Sequence, residues 1–203
     1  MIRGLYAITP DLSDTAELLR RVELALAGGA AILQYRNKLA DSILAFEQAN
    51  ALRALTRRYD TCFIINDDLE LALKTDADGV HLGGDDGDLA QARARLPQGK
   101  LLGASCYNDL QLARAALANG ADYVAFGAVF ASGTKPLARR ASPELIRSAR
   151  AEFSAPIVAI GGITLTNAHE VVSAGADCIA VITALFESED VENIARNFSI
   201  IFK

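Results

Sequence analysis

The sequence predicts an α/β fold, a single (β/α)8 barrel of the TIM type that occupies residues 1–203. Eight short apolar runs alternate with longer segments whose apolar residues recur at helical spacing. Strands that alternate with helices pair in parallel through right-handed crossovers. The length of 203 residues is near the lower limit for such a barrel. Eight parallel strands can close on themselves, and closure removes both exposed sheet edges.

The strands are short and apolar, and the helices between them have one apolar face. In the first helix Leu18, Leu19, Val22 and Leu26 lie on that face. The predicted strands are Leu5–Thr9, Ala31–Gln34, Phe63–Ile65, Gly79–His81, Leu101–Ser105, Tyr123–Phe126, Ile157–Ile160 and Cys178–Ile182. The predicted helices are Ala16–Ala27, Leu44–Tyr59, Leu69–Leu73, Leu89–Leu96, Asp109–Asn119, Pro143–Phe153, Asn167–Ala174 and Val191–Phe198.

A weak internal repeat supports the alternation of helices and strands. It consists of the strings TDADGV, NGADYV and AGADCI, in which Asp78, Asp122 and Asp177 come just before an apolar strand. Each string marks a turn from a helix into a strand, on the amino-terminal face of the barrel. Because barrel enzymes carry their chemistry on the opposite face, we expect these three aspartates to be structural.

Composition excludes several classes of protein. The formal net charge of −5 argues against a general nucleic-acid binder, and no apolar run approaches the roughly 18 residues of a membrane span. The cysteines Cys62, Cys106 and Cys178 are far apart, and His81 and His169 form no ligand cluster with them. We therefore expect buried reduced thiols. With no segment typical of a signal peptide, we also expect a cytoplasmic protein.

The loop after the second strand carries two cations and an amide. In an extended segment alternate residues face the same way, so Gln34, Arg36 and Lys38 are expected to point to one side. Cations that converge at a strand end form an anion site with one uncharged hydrogen-bonding partner. The alternative is a solvated basic loop.

Two acidic clusters follow the third and fourth strands. In the segment Asn66-Asp67-Asp68, Asp68 is explained as an N-cap or first-turn residue of a helix, whereas Asp67 has no such explanation. Carboxylate ligands together with substrate phosphate oxygens are typical of Mg²⁺ sites. The alternative is that the second cluster serves turns and caps, and at least one member of it should cap the next helix. That cluster consists of Asp85, Asp86 and Asp88.

The remaining carboxyl-end loops carry hydroxyls, glycines and a lysine. Barrels often hold a phosphate in the loops after strands seven and eight, on backbone N–H groups at the start of a short helix. One phosphate site and a separate cation-and-metal site imply two anionic substrates, one of which loses diphosphate to the other. The phosphate site consists of Gly162, Ile182 and Thr183, and the cation-and-metal site of Arg36, Lys38, Asn66, Asp67 and Asp86. The other polar and glycine residues of these loops are Ser105, Ser132, Thr134, Lys135 and Gly161.

These segments resemble, in order and spacing, the thiamine-phosphate synthase (thiamine-phosphate pyrophosphorylase) family. Nearly the whole chain takes part, and no single motif would be specific alone. The matching strings are Q-Y-R-N-K, I-N-D-D, D-G-V-H-L-G-G-D-D, G-A-S, S-G-T-K-P, A-I-G-G-I and A-V-I-T-A.

The resemblance implies a reaction between hydroxymethylpyrimidine diphosphate and a carboxylated (or plain) thiazole phosphate, which gives thiamine phosphate, diphosphate and carbon dioxide. It implies that Gln34 binds the pyrimidine and that one Mg²⁺ ion binds to Asp67 and Asp86. It implies diphosphate contacts from Arg36, Lys38, Asn66, Ser105 and Lys135, and thiazole-phosphate contacts from Ser132, Thr134, Gly162, Ile182 and Thr183.

The family chemistry is dissociative: diphosphate departs first, and the thiazole nitrogen captures the pyrimidinylmethyl cation. This fits a chain in which no protein nucleophile is evident. The sequence departs from the family at Gly84, where glutamine is common, and at Ser132, which replaces a frequent threonine. The stretch Leu137–Ser142 lacks the usual glycines, so its role as a lid is open.

Two alternatives stay open at the level of sequence. A thiazole tautomerase, a related barrel isomerase, handles the thiazole phosphate alone and does not need the metal carboxylates. A catalytically silent barrel would bind thiamine precursors as a sensor and would consume no pyrimidine diphosphate. The expected partners are small phosphorylated pyrimidine and thiazole substrates, with no nucleic acid and no membrane, and the sequence leaves the oligomeric state open.

Overall fold

The structure is a computed structural model that describes residues 2–84, 87–130 and 141–203. Eight parallel strands close into one barrel in the order β1 to β8. The predicted fold is therefore confirmed, whereas the assignment of all of 1–203 to a single domain stays a prediction. The strands are β1 Gly4–Ile8, β2 Ile32–Tyr35, β3 Cys62–Asn66, β4 Gly79–Leu82, β5 Leu101–Tyr107, β6 Tyr123–Gly127, β7 Ile157–Ile160 and β8 Cys178–Val181.

The helices surround the barrel, and all those described except the short helices Ala168–Ser173 and Thr183–Phe186 begin at a residue whose side chain caps the helix. The predicted helices are all present, with ends that move by up to two residues. The described helices are α1 Thr15–Ala27, α2 Ser42–Arg58, α3 Leu69–Lys74, α4 Leu89–Arg95, α5 Leu110–Ala118, α6 Pro143–Glu152, α7 Ala168–Ser173, α8 Thr183–Phe186 and α9 Val191–Ile200. The short helix α8 was not predicted as a helix.

Aspartate side chains set the start of most helices. A capping carboxylate accepts hydrogen bonds from backbone N–H groups in the first turn, which have no partner within the helix. Asp68 and Asp88 do this for α3 and α4, so the predicted capping roles in both acidic clusters are confirmed. The other side-chain caps are Asp14, Asp41, Asp109, Ser142 and Asp190.

The alternation of side chains along the strands produces two cores. One lies between the outer face of the barrel and the helices and contains most of the buried residues. The other fills the barrel interior and includes Tyr6, Ile32, Ile64, Tyr123 and Val158. In this interior the inward-facing residues nearest the carboxyl ends of the strands lie towards the barrel mouth.

The repeated aspartates close the amino-terminal face of the barrel, as predicted. Asp177, before β8, accepts a hydrogen bond from the Ile157 N–H at 2.8 Å and another from the Arg150 guanidinium at 2.6 Å. Each such carboxylate joins the start of one strand to its neighbour and to an outer helix. The same pair of contacts recurs at Asp78, with Phe63 and Arg53, and at Asp122, with Leu102 and Arg93.

Of the helices in the described ranges, none combines the length and the hydropathy that crossing a bilayer would require.

We predict that Asp177→Ala lowers the free energy of unfolding by about 1–3 kcal/mol, because a strand N–H and a guanidinium lose their common acceptor. Urea denaturation measures this change. Glu189→Ala is the matched control: it removes the same charge from an exposed side chain that makes no ion pair within the described part of the chain. Its effect should stay within about 0.5 kcal/mol. Equal losses in the two variants would contradict the structural role of Asp177.

Candidate active site

Several of the predicted site residues lie together at the carboxyl ends of strands β2 to β5. The register pairs Gln34 with Ile64, so Asn66 lies two residues nearer the carboxyl end of β3 than the partner of Gln34, and Asn66 in turn pairs with His81. Ser105 follows two strands further, just before a register shift in β5. All these positions face the mouth rather than the helices. The structure therefore gathers this polar group at the end of the barrel where the sequence predicts the chemistry.

Four predicted residues line one cleft beside the mouth, between the loops that follow β2 and β3. This cleft has a volume of about 360 Å³ and contains Arg36, Lys38, Asn66 and Asp67. Cationic and acidic side chains thus share one opening. Gln34 is not part of this cleft, because its side chain turns into the barrel and is only 3% exposed.

Residues of the β1–α1 loop hold Arg36 in place. The buried Thr9 hydroxyl accepts from the Arg36 N–H at 2.8 Å and donates to the Arg36 carbonyl at 2.7 Å. Asp11 accepts from the Arg36 guanidinium at 3.2 Å and from the Lys38 N–H at 2.8 Å. The Arg36 side chain is therefore anchored at the cleft rather than extended into solvent. Neither Thr9 nor Asp11 was identified from the sequence.

A buried amide supports the β2–α2 loop from behind. Gln48 is fully buried, accepts from Tyr35 Oη at 2.9 Å and from Asn37 Nδ2 at 3.0 Å, and donates to the Leu12 carbonyl. Burial raises the pKa of Tyr35 to about 12, so its hydroxyl stays a donor at neutral pH. These hydrogen bonds fix the backbone from which Arg36 and Lys38 project.

The two aspartates of the first acidic cluster, Asp67 and Asp68, have different surroundings: Asp68 caps a helix, and Asp67 lies at the cleft. Asp68 caps α3 by accepting from the Leu71 N–H at 2.8 Å. Asp67 has a φ of +62°, a conformation that aspartate and asparagine tolerate better than most residues. Its N–H donates to the His81 carbonyl at 2.8 Å, and its Oδ2 accepts from Asn66 Nδ2 at 2.6 Å. The Asp67 carboxylate is thereby oriented next to Asn66 at the cleft.

The donors at this cleft fit a magnesium ion. Mg²⁺ takes one or two carboxylates and completes its shell with water and phosphate oxygens. Asp67 supplies one carboxylate beside two cationic residues that could hold such a phosphate. In the described ranges no group of three or more His, Cys, Asp or Glu side chains could enclose a metal, and magnesium bound in this way does not need one.

The turn after β7 consists of two glycines in conformations that favour glycine. Gly161 and Gly162 have φ values of +98° and +65°. A Cβ on Gly161 would lie 2.6 Å from the Cα of Ala128, so the close packing against the β6 loop also requires glycine there. Asn167 Nδ2 donates to the Gly162 carbonyl at 3.0 Å and holds the turn. Gly162 thus presents its backbone at the mouth.

The segment after β8 forms the short helix α8, in the place where barrels often hold a phosphate. The Ile182 carbonyl accepts from the N–H groups of Leu185 and Phe186, at 3.1 and 2.8 Å. Thr183 and Ala184 therefore occupy the first turn, where backbone N–H groups have no acceptor within the helix. Ile182 and Thr183 lie at the carboxyl end of β8, next to the Gly161–Gly162 turn on β7.

Several predicted residues lie outside the described part of the chain. These are Asp86, Ser132, Thr134 and Lys135, together with residues 137–140 of the stretch expected to act as a lid.

The barrel interior contains a chain of hydrogen-bonded side chains that sequence reasoning missed. Gln34 Nε2 donates to Tyr6 Oη at 2.9 Å, and Tyr6 Oη lies 2.9 Å from Tyr123 Oη. Tyr123 Oη lies 3.2 Å from His81 Nδ1, and His81 Nε2 lies 2.9 Å from Ser105 Oγ. These hydrogen bonds therefore connect Gln34, which is predicted to bind the pyrimidine, with Ser105, which is predicted to bind diphosphate.

A glycine provides the space for this chain. A Cβ on Gly103 would lie 2.1 Å from Tyr123 Cζ and 2.6 Å from His81 Nδ1. The His81 and Tyr123 rings are stacked, with centroids 5.6 Å apart and planes 27° apart. The sequence contains one signal for the contact between His81 and Tyr123. It is a histidine at an inward-facing strand position beside a glycine in a strand.

Gly84, where the family commonly has glutamine, has room for a side chain. Its N–H donates to Tyr107 Oη at 3.2 Å, and a Cβ would lie 3.5 Å from the same oxygen, an ordinary van der Waals distance. Steric crowding therefore does not explain the glycine.

The fold and its mouth define a (β/α)8-barrel enzyme with oxygen, amide and cationic groups gathered at the carboxyl ends of its strands. A sequence model described as thiamine monophosphate synthase matches residues 5–185. The chain belongs to the thiamine monophosphate synthase family.

Individual relatives agree with this assignment. The chain is 59% identical to a thiamine-phosphate synthase of Methylobacillus flagellatus over 201 residues, which cover 99% of this chain and 96% of the relative. It is 54% identical to a thiamine-phosphate synthase of Aromatoleum aromaticum over 93% of this chain and 91% of the relative. It is also similar to the solved structure of a thiamine phosphate pyrophosphorylase from Pyrococcus furiosus. That likeness has a TM-score of 0.88 and 38% identity, over 98% of this chain and 94% of the other.

We predict that the three thiols react slowly with an aromatic disulfide reagent in the native protein and rapidly in denaturant. Burial raises the pKa of Cys62 and of Cys106 to about 12 and raises that of Cys178 further, so almost no thiolate is present at neutral pH. Cys106 is buried against the helices, whereas Ser105 beside it faces the mouth. Release of the reagent's chromophore measures the rate.

The denatured protein, in which three thiols should react, is the control for the thiol count. A native thiol that reacts as fast as in denaturant would show that the cysteine environments differ from those described.

Proposed function

We propose that the chain is a thiamine-phosphate synthase that joins hydroxymethylpyrimidine diphosphate to a thiazole phosphate, with or without its carboxylate. The family membership and the named relatives support the reaction. The observation that carries the proposal is the cleft shared by Arg36, Lys38, Asn66 and Asp67, because these residues combine anion-binding and metal-binding chemistry at the carboxyl end of the barrel.

In the proposed reaction the bond between the pyrimidine methylene and the diphosphate oxygen breaks, and its electron pair leaves with diphosphate. The thiazole nitrogen then forms the new bond to the methylene carbon, and a carboxylated thiazole loses carbon dioxide. The protein needs no nucleophile of its own. Its contribution is to orient two reactants and to stabilise the charge that develops on the leaving group.

Arg36 and Lys38 are proposed to neutralise that charge, and Asn66 and Ser105 to donate hydrogen bonds to diphosphate oxygens. The anchoring of Arg36 by Asp11 and Thr9 supports this, because a guanidinium that is already oriented loses less freedom when the anion binds. Lys135 is proposed as a further cation on the resemblance alone. Gln34 is proposed to bind the pyrimidine from the barrel interior.

We propose that Asp67 and Asp86 hold one Mg²⁺ ion and that turnover depends on it. When bound, the ion would neutralise part of the negative charge on diphosphate. The orientation of the Asp67 carboxylate next to the basic residues of the cleft supports this role. For Asp86 the support is the sequence resemblance.

The thiazole phosphate is proposed to bind across the ends of β7 and β8. Backbone groups at Gly162 and at the start of α8, near Ile182 and Thr183, suit a phosphate because helix N-termini present unpaired N–H groups. The hydroxyls of Ser132 and Thr134 are proposed to complete the site. A cytoplasmic location and the oligomeric state stay predictions.

A decisive assay separates this function from the two alternatives. A synthase consumes the pyrimidine diphosphate and releases diphosphate only when the thiazole phosphate is present. A tautomerase would convert thiazole phosphate without pyrimidine diphosphate, and a silent barrel would consume neither. The retained cleft residues favour the synthase, because the tautomerase does not need the metal carboxylates.

We predict that Asp67→Asn and Lys135→Ala each lower kcat on the order of 10²–10³-fold. Asp67→Asn removes a carboxylate proposed to hold the Mg²⁺ ion, and Lys135→Ala removes a cation proposed to stabilise the leaving diphosphate. Asparagine is chosen at residue 67 because it tolerates the positive φ while losing the charge. Thiamine phosphate formation with saturating Mg²⁺ measures the effect.

Asp60→Asn is the matched control for residue 67. Asp60 also has a positive φ, of 51°, but it lies in the turn before β3 on the opposite face of the barrel. This variant should keep wild-type turnover. A folded Asp67→Asn or Lys135→Ala protein with wild-type kcat would sink the proposed role of that residue.

A further inference from the structure

The hydrogen-bonded side chains inside the barrel form a continuous chain, and each hydrogen bond in it has one donor and one acceptor. It runs from Gln34 through Tyr6, Tyr123 and His81 to Ser105, and its members come from five different strands. Gln34, Tyr6, Tyr123 and His81 are all buried, so bulk water does not compete for the hydrogen bonds between them. In such an interior, neighbouring hydrogen bonds order each other.

We propose that this chain donates in one direction, from Gln34 to Ser105, and thereby makes the Ser105 hydroxyl a donor to an anion at the barrel mouth. Tyr6, Tyr123 and His81 are then positioning residues that act through Ser105. The identification of the anion as diphosphate rests on the proposed function, whereas the direction of donation does not.

The direction follows from counting protons. The Gln34 amide donates to Tyr6 Oη, so the single Tyr6 proton goes to Tyr123 Oη, its other partner. Burial raises the pKa of Tyr6 and of Tyr123, so both phenols keep that proton. The Tyr123 proton then goes to His81 Nδ1, which must accept it.

A neutral imidazole carries one N–H, so acceptance at Nδ1 places the His81 proton on Nε2. Nε2 lies 2.9 Å from Ser105 Oγ and donates to it. Since Ser105 Oγ accepts this bond, its own proton is directed to another acceptor. Ser105 faces the mouth, where the proposed acceptor is a diphosphate oxygen.

The opposite direction would give Ser105 the opposite chemistry. If Gln34 presented its amide oxygen to Tyr6, each proton along the chain would reverse, and Ser105 would donate to His81. Its lone pairs would then face an incoming anion and repel it. The orientation of one buried amide therefore decides whether Ser105 attracts or repels the leaving group. A donor that is ordered before the ligand arrives needs no rearrangement when charge develops.

The His81 tautomer tests the direction without any ligand. The chain contains two histidines, so a sample labelled with ¹⁵N-histidine gives two ring spin systems, and the exposed His169 is identified by its loss in His169→Gln. In slightly alkaline buffer we expect a His81 ring protonated at Nε2 and unprotonated at Nδ1. A ring protonated at Nδ1, or at both nitrogens, would overturn the proposal.

A double-mutant cycle tests the action through Ser105, with magnesium and inorganic diphosphate as the probe and calorimetry as the measurement. Charge-assisted hydrogen bonds predict that Ser105→Ala weakens binding roughly 10–100-fold. Tyr123→Phe should weaken binding less, because it loosens the ordering of Ser105 without removing its hydroxyl. The double variant should bind as weakly as Ser105→Ala alone, since the two changes affect one interaction.

Tyr59→Phe, at the end of α2 on the opposite face, is the matched control and should leave diphosphate binding unchanged. Fully additive losses in the double variant would overturn the positioning role. If the wild-type chain bound no diphosphate, the proposed function and the assignment of the acceptor would both fail. The tautomer measured without ligand would still decide the direction of donation.

Discussion

Closure of eight parallel strands into one barrel is the constraint on which the rest of the structure depends. A closed parallel barrel places all carboxyl ends at one rim, so the residue that follows each strand reaches the same mouth. At the other rim Asp78, Asp122 and Asp177 tie neighbouring strands to outer helices. The amino-terminal face of the barrel thus contributes to stability, and the carboxyl-terminal face carries the residues proposed for binding and chemistry.

The barrel interior is partly polar, and every polar contact in its five-residue chain is paired with another side chain. A buried polar group without a partner is costly, whereas a paired network has one preferred arrangement. Here the network joins Gln34 to Ser105 across the interior, so the side chains of these two residues are held in fixed positions relative to each other. The Gly103 position, which excludes a side chain, shows how closely the network is packed.

Local patterns in the sequence were sufficient to predict the strands, the helices of six or more residues, and the caps at Asp68 and Asp88. They did not predict helix α8, because four residues without a side-chain cap have no periodicity to detect. They also missed the contact of Tyr6 with Tyr123, which joins residues 117 positions apart and resembles ordinary core in each strand. The grouping of Arg36 and Lys38 with Asp67 was predicted from the order of the strands. The roles of Asp86, Ser132, Thr134 and Lys135 stay predictions.

We propose that the leaving diphosphate binds in the cleft between the loops that follow β2 and β3. A crystal structure of the protein with Mg²⁺ and diphosphate is the sharpest test of this proposal. We expect diphosphate oxygens in contact with Arg36, Lys38 and Asn66, and the ion bound to the Asp67 carboxylate. Diphosphate bound at a different place, with Asp67 turned away from any ion in a protein that is still active, would contradict it.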